Sequence, residues 1–280
     1  MRVLITSEQD PASLNMKQIL IDEYGFESTQ EIFENNVIFE DANGNKLITT
    51  REDMINCSHL SRTFDPEIFI FCSRHRSQSG TPALLVHSTG NFGEDTSYGG
   101  NAFSLSISAP SIVRQALLSL EREKQSRNLH EFDVTLEVTH HGPTELTQPV
   151  VFIELGSNED YWNHKEGGRA VVAAISDCLT TTLECSSVIG FGGTHYASKF
   201  NKLVLERGVS IGHIAPKYAL DNINKSVVRQ MVERSSSHVE KAVIDWKGTN
   251  ASQKELLFTI LDKLGLDVIK ARDVEKTKTP

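Results

Sequence analysis

Nothing in this 280-residue chain is apolar for long enough to cross a bilayer as a helix, so no membrane partner is expected. The opening Met1–Ser7 turns polar too soon for a secretory signal and reads as a first strand, which points to a cytoplasmic protein. Cysteine is scarce. Cys57, Cys72, Cys178 and Cys185 form no C-x-x-C pair, so free, mostly buried thiols are expected rather than a disulfide framework. Positive charge is short as well: 28 Lys and Arg face 37 Asp and Glu, a net charge of −9. That argues against a protein that coats nucleic acid non-specifically and leaves room only for a local basic patch. H-E-x-x-H, H-x-H, G-x-S-x-G and the P-loop lysine are all missing, so no single short motif announces a metal, a nucleophile or a nucleotide.

What is present is ordinary globular composition, 39% hydrophobic and 23% charged, on a length that suits one large domain. The chain is read as a single unit over 1–280, with a possible small lobe at 41–61 and a frayed charged tail from Asp273. Arg2–Thr6, a turn, and Ala12–Tyr24 stopped by Gly25 give a β-turn-α opening. Asn43-Gly44 between Ile32–Glu40 and Lys46–Thr50 signals a hairpin. Glu67–Cys72 reads as a buried strand leading into a polar basic loop, Ser73–Ser79. Ala83–Val86, Pro149–Leu155, Ser187–Gly190 and Gly208–Gly212 are further strand candidates. Helices are expected at Ala109–Arg127, from a Ser157/Asp160 cap to about Leu183, after a Thr194 cap, and at Leu220–Glu233 and Lys254–Leu264. The fold class is therefore α/β: a mixed, mostly parallel sheet with helices on both faces.

The chemistry gathers at strand ends. In Glu131–Thr139, Phe132, Val134, Leu136 and Val138 alternate with Asp133, Thr135, Glu137 and Thr139, and the run ends in His140-His141-Gly142-Pro143. His140 continues the apolar face and His141 the polar one, so the two rings are expected to point apart. Comparable segments are His87-Ser88-Thr89-Gly90-Asn91, Gly190-Phe-Gly192-Gly193-Thr194-His195 and Gly212-His213, while Glu154-Leu-Gly-Ser157 closes another strand. If these strands share one parallel sheet, His87, His140, His141, His195, His213 and Glu154 surround a single crevice. Imidazoles and a carboxylate there can hold zinc with an open position for water, or act as a metal-free base and electrophile. The candidate catalytic and metal-holding set is His140, His141, Glu154 and His195. The candidate substrate-binding set is His87, Ser88, Thr89, Asn91, Gly192, Gly193 and Thr194, with the glycine amides as a possible anion cradle and a tight turn as the plain alternative. Arg74, Arg76, Lys165, Arg169, Lys199, Lys202 and Lys217 are candidate phosphate contacts. Phe92, Tyr161, Trp162 and Tyr196 are candidate stacking groups.

The blocks His87–Asn91, Thr139–Thr144, Phe152–Glu159 and Gly190–Tyr196, in that order across roughly Pro66 to Leu264, resemble the D-aminoacyl-tRNA deacylases of the archaeal and plant type. The resemblance implies a fold like peptidyl-tRNA hydrolase and nucleoside phosphorylases. It implies hydrolysis of the ester between a D-amino acid and the tRNA acceptor end, with broad side-chain tolerance. It also implies a monomer dependent on zinc (Zn2+), one ion or two. Two other readings remain at this stage: a phosphorylase or other hydrolase on a similar scaffold, and a non-catalytic module that binds the tRNA 3′ end.

Overall fold

The computed structural model describes residues 1–276. In chain order its first part comprises β1 (Val3–Ser7), α1 (Pro11–Glu23), β2 (Glu27–Phe33), β3 (Asn36–Glu40), β4 (Lys46–Thr50), β5 (Phe69–Arg76) and β6 (Ala83–His87). Three two-residue strands follow, β7 (Gly90–Asn91), β8 (Ser104–Leu105) and β9 (Ile107–Ser108), then α2 (Pro110–Ser126), β10 (Asp133–Leu136) and β11 (Pro149–Ser157). The last part is α3 (Glu159–Trp162), α4 (Lys165–Cys178), β12 (Ser186–Phe191), α5 (Ser198–Arg207), β13 (Ile211–Ala215), α6 (Lys225–Glu233), β14 (His238–Ile244), α7 (Ala251–Asp262) and β15 (Asp267–Lys270).

The strands form two larger sheets instead of one. The first runs β10-β6-β11-β5-β1-β4-β3-β2, with β9 beside β11; the second runs β13-β12-β14-β15 and is parallel throughout. The first is mixed and mostly parallel: β1, β4, β5 and β11 run together, while β6 meets β11 antiparallel. Strands β5 and β11 sit near its centre because Phe69–Cys72 and Val150–Ile153 are continuous apolar runs, suited to burial on both faces. Alternation sorts their side chains. Leu4, Ile70, Cys72, Val151 and Ile153 meet α1, α2 and α4, whereas Val3, Ile5, Phe69, Phe71 and Phe152 face the other way.

Among the described residues that second face carries no long helix, contrary to the expected covering on both sides. It is closed by two 3-10 turns, Met54–Asn56 and Ser58–Arg62, whose buried residues Met54, Cys57 and Leu60 recur every third position. Three residues per turn is the 3-10 repeat, so the spacing itself favours the tighter helix. Residues 41–61 are accordingly woven into the main sheet through β4, which lies between β1 and β3.

Several expected boundaries move. Ile32–Glu40 is not one strand: Glu34 and Asn35 take positive φ and turn β2 into β3, and the expected hairpin follows as β3–β4. The helix expected to run to Leu183 splits. Asn158, not Ser157, caps α3, and His164 caps α4 through Gly167 N–H. Ser157 still belongs to β11. Leu220–Glu233 is helical only from Lys225, where Asn224 caps the backbone. Strands β14 and β15 complete the second sheet from a region read only for its helices. Of the expected frayed tail, residues 277–280 lie outside the described residues; Ala271–Asp273 forms a 3-10 turn.

Candidate active site

The segment Glu137–His141 is the seam between the two sheets. On one side Gly90 N–H donates to the carbonyls of His140 and His141. On the other, Val138 N–H donates to His195 O, Thr139 N–H to Ile214 O, and Ala197 N–H to Leu136 O. Both edges of this run are therefore paired, and Glu137, expected on a solvated polar face, instead meets His195 and has a side chain with 0% exposure. His140 and His141 were expected to diverge. They converge instead, ring centroids 4.4 Å apart, because His141 takes a positive φ of 45° and breaks the alternation before Gly142-Pro143.

Seven side chains meet at the seam: His75, His87, Glu137, His140, His141, Glu154 and His195. Three overlapping triads have donor atoms all within 4.8 Å of one another: His87/His140/His141, Glu137/His140/His195 and His75/Glu137/Glu154. Phe152 forms the floor, 5.0 Å from the His141 ring and 5.5 Å from the His87 ring, and stacks beneath on Phe71 at 4.4 Å.

Hydrogen bonds fix which nitrogen each ring offers. Nδ1–H of His87, His140 and His141 donates to the carbonyls of Ser88, Val138 and Gly142 at 3.2, 2.8 and 2.6 Å. A carbonyl only accepts, so Nδ1 carries the proton and, whenever the ring is neutral, Nε2 presents its lone pair, as backbone-oriented ligand histidines do. Two atoms of the cluster, His87 Nε2 and Glu137 Oε2, are buried with no hydrogen-bond partner. Leaving such atoms unpaired costs about 1–3 kcal/mol each. One orphan falls in the His87/His140/His141 triad and the other in the two triads that contain Glu137; unpaired imidazole and carboxylate atoms there fit a bound metal ion, and the donor type suits zinc.

The electrostatics divide the rings. Burial, reinforced by the neighbouring imidazoles, holds His140 well below the usual histidine range and His141 at about 4, so both are neutral near pH 7. Burial opposes charge on His75 and His87 too, but Glu154 and Glu137 outweigh it and raise both. Burial works against ionisation of Glu154, yet His75 and His87 together hold it well below the carboxylate norm. His75 Nδ1 is 3.4 Å from Glu154 and 3.6 Å from Glu137, and its Nε2 is 3.2 Å from the Tyr196 hydroxyl. Trp162 backs it, donating Nε1–H to the His75 carbonyl at 2.8 Å.

Above the cluster opens a cleft of about 760 Å³. His140, His141, Glu154 and His195 line it, as do Arg74, Arg76, Asn91 and Phe92. Most of the expected substrate-binding set does not. His87 is buried behind His140. Ser88 Oγ donates to Gly212 O, and Thr89 Oγ1 to Pro143 O. Asn91 Nδ2 is occupied by the carbonyls of Gly99 and Asn101. The anion cradle also fails: Gly192 N–H donates to Ala215 O and Gly193 N–H to Gly248 O, so neither amide is free. Gly190 lies in β12, where an added Cβ would sit 2.8 Å from the Phe200 ring. Thr194 Oγ1 donates to Tyr196 O and does not cap α5, which starts after Ala197. His213 stands apart, buried in β13 with Nε2–H donating to Ser106 O and Arg234 O. Arg169 is taken up by Glu23 and Glu166.

Sequence reading missed His75 and Glu137. His75 was assigned to a loop, but β5 runs on to Arg76 in register with Gly156 and Ser157 of β11. The available signal was the period-2 alternation of Ser73 and His75 with Arg74 and Arg76.

An α/β protein whose neutral imidazoles and buried carboxylates form the floor of an open cleft is built to activate water, which places it among hydrolytic enzymes. The chain belongs to the D-aminoacyl-tRNA deacylase family: residues 62–269 match the family's profile. It is 35% identical over 276 residues to the D-aminoacyl-tRNA deacylase of Pyrococcus furiosus, covering 96% of this chain and 100% of that one. It is also 35% identical over 283 residues to that of Methanosarcina acetivorans, covering 98% and 93%. A crystal structure described as a conserved protein of unknown function superposes with a TM-score of 0.90 at 29% identity, covering 99% of this chain and 97% of the other.

Proposed function

We propose that this protein hydrolyses the ester of D-aminoacyl-tRNA to a free D-amino acid and tRNA. Family membership supports the reaction class. The observation that carries the chemistry is the Glu137–His195 pair at the cleft floor. His195 Nε2–H donates to Glu137 Oε1 at 2.9 Å, which leaves Nδ1 as the basic nitrogen of a 40% exposed ring. His195 takes a proton from water as the oxygen attacks the ester carbonyl. The carbonyl carbon–ribose oxygen bond then breaks, and the proton returns to the leaving ribose hydroxyl. Glu137 holds the ring and balances its transient positive charge, as a buried carboxylate does for a general-base histidine.

His87, His140 and His141, with their Nε2 lone pairs turned inward, are the residues that would hold zinc, and Glu154 with Glu137 supplies the neighbouring negative charge. A zinc ion there would supply Lewis acidity to the site. His75 neutralises Glu154 and keeps both carboxylates in place. Arg74 and Arg76 form one wall of the cleft, suited to the terminal phosphates, and Phe92, Met54 and Ile55 form an apolar wall suited to varied side chains. We read the enzyme as a cytoplasmic monomer on a scaffold like peptidyl-tRNA hydrolase and the nucleoside phosphorylases. The mixed sheet supports that scaffold, and among the described residues no helix is long and apolar enough to cross a membrane.

The test is release of tyrosine from matched D- and L-tyrosyl-tRNA, with metal content read on the same sample. Release from the D form alone is expected. Equal release from both, or consumption of inorganic phosphate during turnover, would overturn the assignment.

A further inference from the structure

Away from the histidine cluster, the end of the second sheet carries a cationic surface that nothing in the hydrolytic centre uses. Trp246 follows β14 and is 36% exposed. The ammonium groups of Lys254 on α7 and Lys270 at the end of β15 stand 4.5 and 4.4 Å from its ring centroid. Phe258, 41% exposed, lies 6.2 Å from the same ring. Lys247 is the exposed neighbour of Trp246, and Lys217, whose carbonyl accepts from Gln253 of α7, is exposed as well. Among the described residues none of these four lysines takes part in an ion pair, whereas Arg122, Arg127 and Arg169 are paired with glutamates. In a chain of net charge −9, two lysines held against an exposed indole, with Lys247 next to it in sequence, gather cationic side chains that no carboxylate pairs with.

This surface is tied to the mouth of the cleft. Gly193 N–H donates to Gly248 O, and Lys217 N–H donates to Gly193 O. Gln253 of α7 donates Nε2–H to Lys217 O and to Asp221. The segment so anchored, 217–222, contributes Tyr218, Ala219 and Asn222 to the cleft wall. A polyanion whose end lies in the cleft and whose body leaves past Tyr218 meets the lysines next. Ammonium groups held over an indole are kept in place without a carboxylate, so their charge remains available to a phosphate. Lysines interleaved with aromatics are also the composition of nucleic-acid contact surfaces.

We propose that Lys247, Lys254 and Lys270 at Trp246, with Lys217 on the segment anchored to α7, form a ledge that binds the phosphate backbone of the substrate's acceptor stem outside the catalytic cleft. This rests on the assignment of an aminoacyl-tRNA as substrate. The ledge supplies affinity for the tRNA body and takes no part in bond cleavage.

The experiment compares wild type with the triple variant Lys247→Ala/Lys254→Ala/Lys270→Ala on two substrates, D-tyrosyl-tRNA and D-tyrosyl-adenosine, which lacks the stem. For the tRNA, KM should rise roughly tenfold or more with kcat retained, and the log–log salt slope of binding should flatten by about 2 to 3. Hydrolysis of D-tyrosyl-adenosine should be unchanged, which also reports that the variant is folded. The corresponding Lys→Arg triple variant, which keeps charge and ring contact, should restore KM. An unchanged KM and salt slope on tRNA, or an equal loss on D-tyrosyl-adenosine, would overturn the ledge. Failure of the substrate assignment looks different: wild type would then release tyrosine from neither substrate, and the ledge would be judged by titration of uncharged tRNA against both proteins.

Discussion

Glu137 and His195 meet across the seam of the two sheets: the carboxylate is wholly buried, the imidazole is 40% exposed, and 2.9 Å separates Oε1 from Nε2. One partner is fixed by the core and the other opens to the cleft, so the pair behaves as an anchored base. Glu137→Gln keeps the shape of the anchor and removes its charge. It should lower kcat by on the order of 10²–10⁴-fold, the range of a general base, with a small change in KM. Single-turnover deacylation of D-tyrosyl-tRNA measures this, and retention of wild-type kcat would remove Glu137 from the mechanism.

The orphaned Nε2 of His87 gives the metal site its own test. That nitrogen either carries a proton, 3.7 Å from Glu154, or donates its lone pair to a metal; it cannot do both. Metal affinity should therefore weaken as pH falls, because protons compete for the same atom. Chelation should lower both activity and thermal stability, and added zinc should restore both. His87→Ala should abolish stoichiometric zinc even though the residue does not line the cleft. Full activity of a protein shown to be metal-free would sink the zinc reading.

The strand runs at Phe69–Cys72 and Val150–Ile153 were legible because continuous apolar stretches have few other uses. The histidine blocks were legible as a group because glycine-flanked imidazoles after β-rich runs recur along the chain. Their grouping into a single parallel sheet was not. The antiparallel pairing of β6 with β11 depends on contacts far apart in sequence, and so does the separation of β12 and β13 into a second sheet. Glu137 was misplaced for the same reason. Alternation tells which residues share a face, not whether the second sheet will cover it. His141 defeated alternation by a single backbone angle.

Gly156 couples packing to the site. An added Cβ would fall 2.7 Å from His75 Cβ and 2.8 Å from its carbonyl oxygen, both on the adjacent strand β5. Neither obstacle is a flexible side-chain end, so Gly156→Ala must push β5 and β11 apart or displace His75. A stability loss of about 1–3 kcal/mol, typical of overpacking, is expected in urea unfolding, together with reduced activity from the shifted Glu154–His75 contact. Phe152→Ala, which removes the floor beneath His87 and His141, should cost about 3–5 kcal/mol. If Gly156→Ala left both stability and activity unchanged, the tight approach of the two strands would not be what positions His75.

Part of the acid sensitivity should follow His213, the histidine that the crevice excludes, alongside His140 and His141, which burial depresses in the same direction. Burial is the main cause of its depressed pKa, about 4 against an unfolded value of 6.5, despite the carbonyls of Arg234 and Ser106 that favour its charged form. The sign follows from proton counting. Between pH 6.5 and 4 the unfolded chain binds a proton at this site that the folded protein does not, so stability is fully present above 6.5 and is lost as pH falls. Over that window the loss attributable to His213 is roughly 3 kcal/mol, from about 1.4 kcal/mol per pH unit. Unfolding free energies measured in urea at pH 7.5, 6 and 5 should decline accordingly. His213→Asn keeps a donor near the same carbonyls but cannot titrate, so it should be less stable at pH 7.5 yet show a shallower decline towards pH 5. His75 and His87, whose folded values are raised, act with the opposite sign: their contribution is present below the unfolded value and fades as pH rises through the folded one. A decline of equal slope in wild type and His213→Asn would show that acid sensitivity originates elsewhere in the core.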